Sequence, residues 1–389
     1  MMLSVALVGS LAAGIAVAWV PGYWGLGIVQ GCLLAIAVVW LFAARSWYFP
    51  VVSVFPVLIG VWGWLQMVCS GSVANYVTRR DALQWSFAAL GFLLASQVLR
   101  GSAARSLFLT SMVWVCAAFS LLGVLQLYSA PGTVLWYWPM EGAYFGTFSY
   151  KNQFGAMLEL AVPAALYVML FKTDRFWTGL SVFLALFAGA VACSSRAAAG
   201  LVTAETVLLL LLAWRAGKIR LSALLIALPG LALLLAGVAY ISVNEVAVTH
   251  YQDVHLDAIR KELMKATVAM IGKAPWSGYG LGTWSFVYPQ YALFDNGRWA
   301  NIAHNDWLEW MAEGGVVYAG SFAGMLVLSA RKVLRHPWSL GVLSLGLHSW
   351  VDYPTRDSVI GIFWFVMAGA LAAASLRSKR DASEPPAEA

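Results

Sequence analysis

Long apolar runs separated by short polar breaks organise almost the whole chain. They fall near 3–20, 24–44, 49–70, 82–99, 106–128, 152–171, 176–195, 197–214, 221–241, 307–330, 338–351 and 358–376. About 20 mostly apolar helical residues cross the hydrocarbon core of a bilayer. The pattern therefore predicts an all-α polytopic membrane protein with about twelve transmembrane helices. The first run has no basic residues before it and no small-residue cleavage site, so it reads as a retained span and not a signal peptide. The eleventh run is short and ends at Asp352-Tyr353-Pro354. One polar interval, 242–306, is far longer than the rest. The expected organisation is one integral membrane domain over 1–376, an external loop at 242–306 between spans nine and ten, and a disordered cytoplasmic tail at 377–389.

Composition narrows this further. Apolar residues make up 61% of the 389 positions and charged ones only 11%, where a soluble domain carries about 25%. A soluble enzyme, a disordered regulator and a nucleic-acid-binding domain are excluded. The net charge of +6 is mostly a topology signal. Arg45, Arg100, Arg105, Lys172, Arg175, Arg215, Lys218, Arg220, Arg331, Lys332, Arg335, Arg377, Lys379 and Arg380 all fall in alternate loops. By the positive-inside rule those loops are cytoplasmic. Both termini are then cytoplasmic and 242–306 is external. The four cysteines form no CxxC or metal-ligand spacing, so neither a disulfide framework nor a zinc site is expected. Cys69 and Cys193 fall near one membrane face, which leaves a single bridge open. No cofactor motif is present, and His250 and His255 form no HExxH or other metal pattern.

The long loop carries most of the candidate chemistry. Residues 255–272 read as an amphipathic helix, with Ile259, Leu263, Thr267, Met270 and Ile271 on one stripe and Lys261, Glu262 and Lys265 opposite. Arg260 falls inside the apolar stripe. It is either half of a structural ion pair or a planar fork of donors for phosphate. Gly278, Gly280 and Gly282 permit a tight turn or close approach of a ligand. Trp276, Trp284, Trp299, Trp307 and Trp310 suit an interfacial belt, or stacking on sugars. Asp306 and Glu309 have the spacing of a helix N-cap with a reciprocal Glu. His304, just before them, is either structural or a general base.

The spans hold polar residues of their own. Arg196 occupies a tight external corner between the seventh and eighth runs. Glu159 and Glu205 lie well inside their spans, where carboxylates are costly and are functional candidates by default. Glu205 suits a protonated, hydrogen-bonded form. His348 and Asp352, spaced i and i+4, suit a hydrogen-bonded pair. Lys151 and Asn152 open the sixth span, where capping and snorkelling are the plain reading.

Five of these elements, in order over roughly 145–370, resemble the O-antigen ligase and polymerase superfamily of bacterial envelope glycan transferases. They are Ser149-Tyr150-Lys151-Asn152-Gln153-Phe154-Gly155 with the following Pro163 span; Ser195-Arg196-Ala197; Arg260 with Pro275-Trp276-Ser277-Gly278-Tyr279-Gly280; Ala303-His304-Asn305-Asp306 with Glu313-Gly314-Gly315; and Leu347-His348-Ser349-Trp350-Val351-Asp352-Tyr353-Pro354. Lys151 and Gln153 depart from the expected surroundings of Asn152. The resemblance implies an inner-membrane glycosyltransferase, inverting and metal-independent, with its active site facing the periplasm. The donor would be an undecaprenyl-diphosphate-linked glycan and the acceptor a lipid A-core oligosaccharide, with membrane lipids as surroundings and no cofactor or nucleic acid. His304 is the expected base. Arg196 and Arg260 are the expected diphosphate ligands. Lys151, Asn152, Glu159, Asp306 and His348 are candidate supporting residues. A polymerase or protein O-oligosaccharyltransferase of the same superfamily is the near alternative. A twelve-span solute transporter is the alternative of another class, weakened by the lack of internal repeats or paired Gly-interrupted spans.

Overall fold

The computed structural model describes residues 1–20, 24–44, 46–69, 71–172, 175–222, scattered positions up to 236, 259–293 and 299–381. The ninth predicted run, His250 and His255 lie outside or mostly outside these residues. Every other run appears as helix: α1 (Met2–Val17), α2 (Trp24–Ala43), α3 (Val54–Val68), α4 (Asn75–Val98), α5 (Ser102–Ser129), α6 (Lys151–Phe171), α7 (Phe176–Ala192), α8 (Arg196–Arg215), α11 (Asp306–Val333), α12 (Gly341–His348) and α13 (Ser358–Asp381). Two further helices, α9 (259–273) and α10 (Trp284–Val287), come from the long loop. A two-residue antiparallel hairpin pairs Thr133–Val134 with Trp138–Pro139 in the loop before α6.

Among the described residues six helices, α2, α3 with the turn before it, α5, α6, α8 and α11, are long and apolar enough to cross a membrane, and α1, α7 and the apolar part of α13 are shorter apolar helices. α12 falls short for a physical reason. A 3-10 turn at Pro337–Ser339 and the Tyr353-Pro354 break trim the run 338–351 to eight helical residues, about 12 Å of rise. α4 opens on Arg79, Arg80 and Asp81, which lowers its apolar character. α13 stays helical through Asp381, past the expected end of the last span at 376. All four cysteines are free thiols.

α6 is the central element. It packs on α7, α8, α5 and α12, while α4 packs on α3 and α13. Pro163 sits inside α6 and supplies no N–H for the carbonyl of Glu159 one turn earlier. α12 comes in against that carbonyl: a Cβ on Gly341 would lie 2.1 Å from it, so only glycine fits. The proline thus opens the spot where α12 docks, and it brings His348 at the end of α12 back onto α6.

The described part of the long loop has a small core of its own. Leu263 and Met270 of α9 pack with Trp284, Val287, Ala303 and Ala312. Leu263, Ala266, Thr267 and Met270 are buried while Lys261 and Lys265 are exposed. The apolar stripe read from the sequence is the buried face of this helix.

Candidate active site

The site is built where the start of α6, the segment before α11 and the segment after α12 meet. His304 has a left-handed backbone (φ 55°), costly for a residue with a Cβ. It lies just before Asn305, whose side-chain oxygen accepts from the Leu308 N–H at 3.0 Å and caps α11. The cap is therefore Asn305 and not Asp306, one residue earlier than the spacing implied. Asp306 is committed elsewhere. One carboxylate oxygen accepts from Ser349 Oγ, Thr355 N and Thr355 Oγ1 at 3.2, 3.2 and 2.7 Å. Glu309 accepts from the Ala303 N–H at 2.9 Å and pairs with Arg356 at 2.7 Å. These two carboxylates tie the segments on both sides of His304 to the polar end of α11.

Asp352 is the nearest acid to the imidazole. Its Oδ1 lies 3.9 Å from His304 Nδ1, and neither atom has a hydrogen-bond partner although both are buried. The other oxygen of Asp352 accepts from Asn152 Nδ2, which also donates to Tyr150 OH at 3.0 Å. Tyr150 stacks face to face on Tyr353 at 5.1 Å, and His304 meets Tyr353 edge-on at 5.0 Å. Burial pushes the Tyr150 phenol up to about 12; Asp352 adds to the shift and Arg260 opposes it. Burial also raises Tyr353, with Arg260 again opposing. Both therefore remain phenols at neutral pH. Arg260, a half-buried residue of α9, is near enough for its positive charge to bear on both phenols. One quarter of the His304 side chain is accessible (26%), so the ring is held yet reachable.

The other expected residues take different places. Arg196 is exposed at the first position of α8, directly after Ser195, whose hydroxyl caps the helix by accepting from Ala198 N. Ser195 and Ala198 face Gly155 in the first turns of α6, so this corner abuts the start of α6 from another side. Lys151, half-buried, is the first residue of α6. His348 and Asp352 do not form the expected side-chain pair. His348 Nδ1 bonds Glu159 Oε1 at 2.8 Å, and both side chains are fully buried. Each partner of the expected pair is occupied, Asp352 by Asn152 and His348 by Glu159. Glu205 is buried in α8, but neither carboxyl oxygen has a hydrogen-bond partner among the described residues, unlike the hydrogen-bonded form expected for it.

The glycine turn is a tight turn packed against protein. Gly278 is pressed on the Glu313 carbonyl, and Gly282 lies against Asp81. Tyr279 and Gly280 donate to the carbonyls of Ala312 and Glu313 at 3.0 and 2.9 Å. Glu313 holds the turn from below, accepting from Gly282 N at 2.8 Å and Trp284 N at 2.9 Å. α11 accommodates this by breaking at Gly315 (φ 70°, ψ −172°), where a Cβ would lie 2.2 Å from the Trp276 carbonyl. The glycines at 278–282 and 315 thus join the long loop to α11, which fixes the position of His304. Of the tryptophans, Trp284 is buried with its N–H on Thr267, whereas Trp276 and Trp299 are exposed.

Sequence reasoning missed Tyr150, Tyr353 and Arg356, and it assigned Asp352 to the wrong histidine. The signal for Asp352 was its place in the His348–Pro354 segment. The stacking of Tyr150 on Tyr353 joins positions some 200 residues apart, and no local pattern announces it.

The fold and this cluster define a helical membrane protein with a polar, partly accessible histidine site at the ends of its helices. Residues 180–323 match a family model described as O-antigen ligase, a stretch that holds Arg196, Arg260 and His304. The likeness to that family is carried by this stretch, 144 of the 389 residues. No curated protein matches it.

Proposed function

We propose that the protein moves a glycan from undecaprenyl diphosphate to a sugar hydroxyl of lipid A-core at the periplasmic face of the inner membrane. The observation that carries this reading is the approach of His304 to Asp352 and to the Tyr150–Tyr353 pair, in a chain whose residues 180–323 match the O-antigen ligase family. With Nδ1 turned towards Asp352, His304 presents Nε2 to the substrate. The acceptor hydroxyl gives its proton to Nε2 as its oxygen attacks the anomeric carbon, and the bond from that carbon to the diphosphate oxygen breaks with inversion. Asp352 stabilises the imidazolium that forms. The leaving diphosphate is already a weak base, so it needs positive charge more than an acid. Arg260 supplies the charge beside His304, and Arg196 receives the diphosphate from the α7–α8 corner. In this reading both termini lie in the cytoplasm and the loop over 242–306 belongs to the periplasmic side.

Product analysis with purified protein tests this. Lipid-linked glycan and lipid A-core should yield one glycan block on the core, and the yield should persist in chelator. A ladder growing on undecaprenyl diphosphate would make the protein a polymerase. The absence of any new glycosidic bond would refute the reading and favour a transporter.

A further inference from the structure

A cavity of about 600 Å³ lies next to the His304 cluster but contains neither His304, Arg196 nor Arg260. Its volume is in the range of pockets that enclose small ligands. One wall is apolar, from the α1–α2 corner with Val17, Ala18 and Leu26; the opposite wall is polar, from α4, α6, α11 and the segment 355–358. Its carboxylates are all engaged. Asp81 pairs with Arg80 and Arg356, Glu309 with Arg356, and Glu313 and Asp306 hold the backbone and hydroxyl donors described above. Asp357 accepts from Val359 N and Ile360 N at the start of α13. These acids build the wall and leave no bare anionic cluster for a cation.

One polar side chain that lines this space is not fully satisfied. Gln153 is 6% exposed, lines the cavity, and its Oε1 accepts no hydrogen bond. A buried acceptor without a donor costs free energy unless something supplies the donor. Gln84 lines the same wall, and Arg79, exposed at the rim, stands over the Tyr76 ring at 5.9 Å. Amides, a guanidinium and an aromatic ring opposite an apolar wall suit a hydroxyl-rich head with a lipid end. Gln153 is next in sequence to Asn152, which bonds Asp352, and Thr355 and Asp306 form a boundary common to the cavity and the His304 cluster.

We infer that this cavity receives the sugar head of the lipid-anchored acceptor, whose hydroxyls donate to Gln153 Oε1 while its lipid leaves past Val17, Ala18 and Leu26, at the facing ends of α1 and α2. The inference rests on the glycosyl-transfer reading above and assigns the acceptor a place apart from the donor diphosphate. The test uses the full chain in nanodiscs with His304→Ala as parent, so that no turnover occurs, and measures binding of lipid A-core and of undecaprenyl diphosphate separately. Gln153→Leu should weaken lipid A-core binding about fivefold, the value of one neutral hydrogen bond, and leave undecaprenyl diphosphate binding unchanged. Arg79→Ala, at an exposed position, should do the same if Gln153→Leu does not fold. Unchanged lipid A-core affinity in the folded variants, equal loss for both ligands, or no lipid A-core binding by the parent would each overturn the inference. Failure of the wild-type protein to form a glycosidic bond would sink the glycosyl-transfer reading alone, since these affinities are measured without turnover.

Discussion

The two histidines beside Asp352 have opposite surroundings. His304 sits on a strained left-handed backbone, one quarter accessible, with Nδ1 facing Asp352 across 3.9 Å and no hydrogen bond made. His348 is fully buried and bonded to an equally buried Glu159 at 2.8 Å. The first is held by its neighbours, through Asn305, Glu309 and Tyr353, and its own ring nitrogens remain available. The second is itself the contact that joins α12 to α6. A histidine shut inside the fold with one nitrogen bonded to a carboxylate has no route to a substrate, although its Nε2 is unpartnered, whereas one fixed by its backbone and ring edge keeps an accessible proton site.

Substitutions sharpen the contrast. Asp352→Asn keeps the shape but removes the charge that steadies an imidazolium. Transfer should fall about a hundredfold, read as initial rate in detergent, and a rate near wild type would detach Asp352 from His304. Arg260→Lys replaces a planar fork by a point charge and should cost about tenfold in transfer; unchanged rates would make Arg260 a structural ion. His348→Ala leaves the Glu159 carboxyl buried without its partner and should lower stability by about 2–4 kcal/mol, seen as a lower thermal midpoint. The folded fraction should retain more activity than Asp352→Asn; the reverse order would give His348 the role assigned to His304. Gly315→Ala forces a Cβ onto the Trp276 carbonyl at a left-handed position. It should destabilise by about 1–3 kcal/mol and loosen 275–284, measured as faster amide exchange there.

The reach of the sequence differed between these regions for physical reasons. Helices were legible because a bilayer demands long apolar runs, and the buried stripe of α9 because its period is 3.6 residues. Boundaries were less so: the run 338–351 looked like a span, but Pro337 and Pro354 cut it to a short helix. His304 and Arg260 stood out as polar groups at odd positions. Asp352 was misassigned because an i, i+4 spacing favours the near partner, and only the fold brings in Glu159 and Asn152 to compete. The glycines of 278–282 allowed two readings, a turn or a ligand approach, and the backbone of α11 occupies the space a ligand would need.

The most direct test of the account is a single-turnover assay of purified His304→Ala with labelled lipid-linked glycan and lipid A-core, alongside a measurement of donor binding. The account predicts that the variant folds, binds undecaprenyl diphosphate as the wild type does, and forms no labelled core product. Product formed at the wild-type rate would contradict it.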